Sequence, residues 1–348
     1  MVLCDHAELL TWTTHVLVHE GVAEKAARTA AHVLVRTSLR GIDTHGISRL
    51  PLYAEKLKSG EVNARPSIRL ESRDGMMHCH GDGGLGQAVL PFALERMLLA
   101  ARTTALVACR VESTGHLGAL GTLLLPAAEQ RLLAILCQRT PPIMALPGSN
   151  APAIGNNPIA FACPVKGRAP LVFDMAHSVV ARGHVMQALR EGRDAIPGDW
   201  ALGPDGMPTS DPASALRGAM QPVAGHKGMG LAMLVECLAG SLNGVILPEA
   251  RTENHSKGSA SNVSAFLVVI NPALVIGEHA FNESLNAWLQ NYLEASGPDS
   301  RYPGQRQATC EALRRKEGIP VPDGLLAELQ ATGRLARHPF DLVKFEVV

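Results

Sequence analysis

The stretch that decides the fold is Ile68–Gly86, IRLESRDGMMHCHGDGGLG. Ile68–Glu71 and Met76–His80 flank Ser72-Arg73-Asp74-Gly75, which reads as the turn of a β-hairpin. Gly81-Asp82-Gly83-Gly84-Leu85-Gly86 then matches GxGxxG between a strand and a helix, the context of a dinucleotide fingerprint. A fingerprint, however, belongs to the first strand of a parallel βαβ unit, and this strand is the second arm of a hairpin. The next acidic residue at a strand end, Glu112, also lies beyond the usual ribose position. We therefore read the glycines as a tight strand-to-helix turn in which backbone packs on backbone.

Outward from that turn, strands and helices alternate: a helix over 88–102, a strand over 105–111, a helix over 122–130 and a strand over 132–137. Such alternation predicts an α/β layered sheet. Upstream, apolar spacing predicts helices over 6–20 and 23–39, with Ser48 capping a further short helix. Downstream, residues 141–221 are rich in Pro and Gly around short strands at 159–165 and 171–174. The sheet pattern resumes with a helix over 229–242 and a strand over 265–270, followed by helices over 280–295, 306–317 and 324–333. The expected units are a helical segment 1–66 joined by C-terminal helices within 305–348, a cofactor-binding sheet domain 67–140 and 222–304, and an inserted subdomain 141–221.

The chain has 348 residues, enough for a large core, and its 32 basic residues balance 32 acidic ones. No nucleic-acid or membrane-surface partner is expected from that balance. Seven scattered cysteines without a CxxC pair read as buried thiols of a reducing cytoplasm. The start, MVLCDHAELL, lacks the apolar stretch of a signal peptide, and the oily segment 229–247 reads as a buried helix. No histidine spacing calls for a metal.

Four segments carry candidate chemistry. In 39–53, LRGIDTHGISRLPLY, Thr44, His45, Arg49 and Tyr53 lie within one short stretch. Histidine suits proton transfer near neutral pH, and arginine offers a forked cation for a carboxylate. Both types are also common as surface or capping residues. His116, in 113–121, STGHLGALG, follows a strand end where ligands bind in open α/β sheets, before a helix start that favours an anion. Ala224–Leu231, AGHKGMGL, places His226, Lys227 and Gly228 where phosphate or ribose contacts are made, or simply packs on the sheet. Asp174–Ser178, DMAHS, either contacts a ligand or caps the next helix.

Together with GNNPIAFACP (155–164), IPGDWALGPDGMPTSDP (196–212) and RYPGQR (301–306), these segments run in the order of one family. From about residue 5 to 335 the chain resembles the malate/L-lactate dehydrogenase family distinct from the classical lactate dehydrogenases. That family includes L-sulfolactate, ureidoglycolate and 2,3-diketogulonate oxidoreductases and piperideine- and pyrroline-2-carboxylate reductases. The resemblance implies a non-Rossmann three-layer α/β/α sandwich on a mixed sheet, a homodimer, and NAD or NADP as cofactor. It implies hydride transfer to or from a small 2-hydroxy or 2-oxo acid, or reduction of a cyclic imine carboxylate. A non-catalytic paralogue that binds dinucleotide or metabolite is the reading from another class.

By the same resemblance, His45 or His116 donates the proton and Arg49 grips the carboxylate, with Thr44 and Tyr53 beside the substrate. Cofactor contacts fall on Thr140, Asp174, Met175, Ala176, Ser178, His226, Lys227, Gly228, Gly304 and Gln305. The chain departs from the pattern at Thr44, Arg139, Ser149, Asn156, His177 and Gln305. Arg139 and His177 read either as favouring a more acidic substrate or a 2′-phosphate, or as surface changes. Pro141, where ureidoglycolate-type members carry an acidic residue, disfavours that substrate.

Overall fold

A computed structural model describes residues 1–149, 151–245, 263–342 and 345–346. The last two residues of the oily segment 229–247 lie outside the described residues, as do parts of the 222–304 and 305–348 segments. In chain order the elements are β1 (Val2–Cys4), α1 (His6–His19), α2 (Glu24–Leu39), α3 (Leu50–Ser59), β2 (Arg69–Arg73), β3 (Met76–Gly84), α4 (Gly86–Ala100), β4 (Leu106–Thr114), α5 (Leu120–Glu129), β5 (Leu133–Arg139), β6 (Ile159–Cys163) and β7 (Leu171–Met175). There follow α6 (Arg182–Arg190), β8 (Ala201–Leu202), β9 (Pro208–Thr209), α7 (Pro212–Arg217), β10 (Ala219–Met220), α8 (His226–Val235), β11 (Val263–Ile270), α9 (Pro272–Val275), α10 (Glu278–Ser296), α11 (Gln305–Glu317), β12 (Ile319–Val321), α12 (Asp323–Leu335) and β13 (Phe345–Glu346).

Seven strands form the central sheet in the order β2-β3-β4-β11-β5-β6-β7. The β3/β4 pair is parallel and the other pairs are antiparallel, so the sheet is mixed. Alternation along each strand sends side chains to two faces. Leu136, Ala160 and Leu267 join the core under α4 and α5. Their chain neighbours Cys137, Ile159 and Phe266 meet Val235 and Ala239 on the other side. Leu133, Phe161 and Cys163 on that second side pack under α10. Three layers result, in the α/β/α order the resemblance implies.

The hairpin forms as its turn residues dictate: Asp74 and Gly75 both take positive φ (50° and 82°), the signature of a type I′ turn. The structure differs from the sequence reading on one point. β3 is a hairpin arm and, through α4, also the first strand of a parallel βαβ unit. The glycines after it are nonetheless filled by protein. A Cβ on Gly84 would lie 2.7 Å from Pro66, and one on Gly86 2.6 Å from the His116 carbonyl. Backbone occupies the space that a pyrophosphate would need.

Residues 141–221 are divided by the structure. β6 and β7 extend the central sheet, because their apolar residues continue both of its faces. The remainder holds the small β10-β8-β9 sheet and its own core around Met144, Val185, Ala188 and Met220. At the opposite end β1 lies between β12 and β13, clamping the N-terminal helices to the C-terminal segment. Trp12 reinforces that clamp, stacking edge-on against Phe340 at 4.6 Å and donating to the His338 carbonyl.

Two boundaries moved. Ser48 caps no helix; its hydroxyl donates to the Asp43 carbonyl (2.5 Å), and Arg49 occupies the cap position of α3 without a side-chain bond. The helix expected over 229–242 starts at His226 and gives way to a π turn over Glu236–Gly240.

Candidate active site

The turn between α2 and α3 carries His45 and is held from outside. Asp43 forms a two-bond ion pair with Arg314 of α11 (2.6 and 3.0 Å). The Ile47 N–H donates to the Ser38 hydroxyl at the end of α2. Within the turn the Thr44 hydroxyl meets His45 Nδ1 at 3.0 Å, and Arg49 Nε donates to the Thr44 carbonyl at 2.7 Å. Among the described residues no carboxylate pairs with the Arg49 guanidinium.

The loop after β4 brings His116 to the same place. The His45 and His116 rings lie 5.9 Å apart, and the Tyr53 hydroxyl meets His116 Nδ1 at 2.8 Å. A residue the sequence reading missed completes the cluster. Gln87, in the first turn of α4 and buried, donates from Nε2 to the Tyr53 hydroxyl (3.0 Å) and to the His116 carbonyl (2.9 Å). A polar residue inside the apolar run LGQAVLPF was the signal that could have found it.

His116 lies deep among protein atoms yet remains open to solvent, as a residue in a recess does. Those surroundings push its pKa down to about 3, with further lowering by His45, Arg49 and Lys56. Burial, then the Arg49 charge, pushes His45 down to about 4. Burial raises Tyr53 to about 12. At neutral pH the recess therefore holds two neutral imidazoles, a neutral phenol and one fixed cation.

Asp174, at the end of β7, does not cap the next helix. Its Oδ2 accepts from the Gly121 N–H at 2.8 Å, so it caps α5, the helix that follows the His116 loop. The anion favoured by that helix start is thus supplied by the chain itself. Burial pushes the Asp174 carboxyl up to about 6, against the pull of the Gly121 and Leu120 amides. Asp174 so ties the second group of predicted residues to the first.

In that second group Thr140 directly follows β5. Its N–H donates to Asn157 Oδ1 (2.9 Å) and its hydroxyl to Asn156 Oδ1 (2.8 Å). Met175 closes β7 opposite Ile159, Ala176 follows it half-buried, and buried Ser178 bridges to Pro222. His226 and Lys227 stand exposed in the first turn of α8, with Gly228 packed behind them against Val223. The Pro303 carbonyl accepts from Val172 N–H, which sets Gly304 and Gln305 at the start of β7. Gln305 turns its amide oxygen onto the Tyr302 N–H of its own turn.

Arg139 and His177 are not surface changes, since both are fully buried. Arg139 Nε donates to Glu236 in the π turn (3.3 Å), and the same carboxylate accepts from Asn157 Nδ2 (3.0 Å). His177 Nδ1 meets the Asn157 carbonyl at 2.6 Å. Both therefore act from beneath the Thr140 loop. Clefts of about 750 and 490 Å³ elsewhere, at the foot of the sheet and between α2, α4 and α5, include none of the predicted site residues. Among the described residues no group of three or more His, Cys, Asp or Glu is placed to hold a metal, and no helix is long and apolar enough to cross a membrane.

The sandwich is a form that other proteins share. The sulfolactate dehydrogenase structure from Methanocaldococcus jannaschii superposes with a TM-score of 0.85 at 28% identity, covering 97% of this chain and 98% of that one. A Δ1-piperideine-2-carboxylate reductase structure from Pseudomonas syringae gives 0.85 at 29%, over 95% and 100%. In sequence, the (2R)-3-sulfolactate dehydrogenase (NADP+) of Chromohalobacter salexigens is 35% identical over 89% of this chain and 92% of its own length. The family described as malate/L-lactate dehydrogenase matches residues 4–330. The chain belongs to that family and is an oxidoreductase.

Proposed function

We propose that this chain transfers a hydride between NAD or NADP and a small 2-hydroxy/2-oxo acid of the malate or lactate type. The observation that carries the reading is Arg49, a cation with no carboxylate partner among the described residues, beside two neutral histidines in a solvent-open recess. A bound 2-oxo acid would set its carboxylate on the Arg49 fork, with Thr44 and Tyr53 alongside. Its C2 oxygen, negative as hydride arrives at C2, would take a proton from His45 or His116 and leave as the alcohol.

The residues fit a dinucleotide. α8 begins after Ala224 and Gly225, both at positive φ, with no side-chain cap on its first amides and Lys227 beside them. Such a helix start is suited to phosphate. The Ser178 hydroxyl, buried without a hydrogen-bond partner among the described residues, is a further contact in reach of the same loop. We assign the cofactor to Thr140, Asp174, Met175, Ala176, Ser178, His226, Lys227 and Gly228, with Gly304 and Gln305 at the margin. When bound, the nicotinamide supplies or accepts the hydride.

The testing experiment is the initial rate of NADH and NADPH oxidation with pyruvate, oxaloacetate, sulfopyruvate, 2,3-diketogulonate and piperideine-2-carboxylate. We expect one acceptor to turn over at about ten per second. Silence with all of them despite cofactor binding would point to a substrate outside this panel or to a binding paralogue. Reduction of a cyclic imine is the second reading, favoured by a 31% identical Δ1-pyrroline-2-carboxylate reductase from Ancylobacter novellus. An imine nitrogen arrives already protonated, so His45→Ala would spare imine turnover and abolish keto-acid turnover.

We also infer a homodimer. Leu231, Met233, Leu234 and Leu242 are exposed along α8 and its continuation, an apolar strip beside the site. Sedimentation should return about twice 36.9 kDa, and a monomer at micromolar concentration would refute the dimer. Seven free thiols support a cytoplasmic location, which recovery outside the cytoplasm on fractionation would contradict.

A further inference from the structure

Gln87 fixes more than a position. The His116 carbonyl can only accept, so the Gln87 group that faces it at 2.9 Å is the amide NH2. The same nitrogen lies 3.0 Å from the Tyr53 hydroxyl and donates there too. Tyr53, kept neutral by burial, has its own proton to place. Among the described residues, its one acceptor in range is His116 Nδ1 at 2.8 Å. Nδ1 is therefore unprotonated, and the neutral ring carries its hydrogen on Nε2, which makes no bond within the described chain.

We propose that Gln87 is a positioning residue that sets the direction of a Gln87–Tyr53–His116 hydrogen-bond chain, so that His116 meets the substrate oxygen as a neutral Nε2–H donor. The substrate half of this statement rests on the hydride-transfer reading above. An imidazolium at His116 would need a hydrogen on Nδ1, where Tyr53 already points one. The positive charges facing the ring, Arg49 and Lys56, oppose that state as well. A bound carboxylate neutralises Arg49 and eases protonation of both rings. At His116 the Tyr53 O–H still opposes it. At His45 the partner is the Thr44 hydroxyl, which accepts as readily as it donates. Delivery of the proton to the alkoxide thus falls to His45, while His116 stabilises the developing negative charge.

The test is ring-nitrogen NMR of the full chain carrying 15N-histidine, with His116 assigned by its loss in His116→Asn. In the wild type we expect His116 to show a bare Nδ1 and a protonated Nε2, unchanged from pH 5 to 8. In Gln87→Glu the new carboxylate accepts from Tyr53, whose oxygen then accepts from Nδ1–H, so the tautomer inverts. Gln87→Met removes the donor and keeps the bulk. It should lower kcat about 10- to 100-fold at pH 7, add an acid limb to the pH profile and leave the cofactor KM unchanged. A wild-type His116 with its hydrogen on Nδ1, one titrating near 6.5, or an uninverted ring in Gln87→Glu would overturn the proposal. Wild-type protein that turns over no acceptor would sink the hydride-transfer reading instead, because the ring spectrum is read without turnover.

Discussion

Arg49→Ala lowers kcat/KM for the acid substrate by about 10²- to 10³-fold, the loss of roughly 3–4 kcal/mol that follows when one partner of a charge-assisted pair is removed. The fold gives Arg49 little to do. Its Nε bonds the Thr44 carbonyl, and no carboxylate of the described chain faces its fork. Stability should therefore stay nearly unchanged while activity collapses. Arg49→Lys keeps the charge without the fork and should fall between wild type and alanine. Arg49→Ala also removes a positive charge that lowers both histidines, so whichever limb of the pH profile tracks them should move to higher pH. Steady-state rates across pH, beside a urea melt, read all three. A kcat/KM within threefold of wild type would remove Arg49 from the substrate site.

The second large effect is expected at Gly155. A Cβ there would stand 2.2 Å from the Thr140 carbonyl oxygen, 2.3 Å from its hydroxyl and 2.4 Å from Asn157 Oδ1. These atoms belong to the buried network that supports the Thr140 loop: Thr140 N–H to Asn157, Asn157 N–H back to the Thr140 hydroxyl, and Asn157 Nδ2 to Glu236. A methyl group cannot enter without separating them. Gly155→Ala should lose about 3 kcal/mol by overpacking and broken bonds. It should also raise the cofactor KM at least tenfold while leaving the acid-substrate KM within about twofold. Chemical denaturation and cofactor titration measure the two parts separately. An unchanged denaturation midpoint with unchanged cofactor KM would show that the loop does not depend on this packing.

How much of this was legible in the sequence depends on the range of each interaction. α1 and α2 follow from apolar spacing, and the hairpin from Asp74-Gly75, because those signals are local. His45, Arg49 and Tyr53 share one stretch, so their proximity could be read directly. Gln87 could not be paired with Tyr53 and His116, since the three meet only when α3, α4 and the loop after β4 converge. Arg139 illustrates the opposite error. Charge suggests a surface, yet its Glu236 partner, 97 positions away, makes an interior site tenable. Asp174 was placed at a strand end and read as a ligand contact or a cap of the next helix; the helix it caps instead precedes it in the chain, a pairing that sequence order hides.

The β12-β1-β13 clamp bears on how the chain is made. Val2–Cys4 cannot be paired until Ile319–Val321 and Phe345–Glu346 have been synthesised. At ribosomal rates of 5–20 residues per second, roughly 15 to 60 seconds separate the emergence of the two halves. Through that interval the apolar faces of α1 and α2, with Trp12, Val16 and Leu34 among them, wait without their final cover. The first helices of the chain thus depend for part of their cover on segments that are made much later, Ile319, Val321, Leu329 and Phe340 among them.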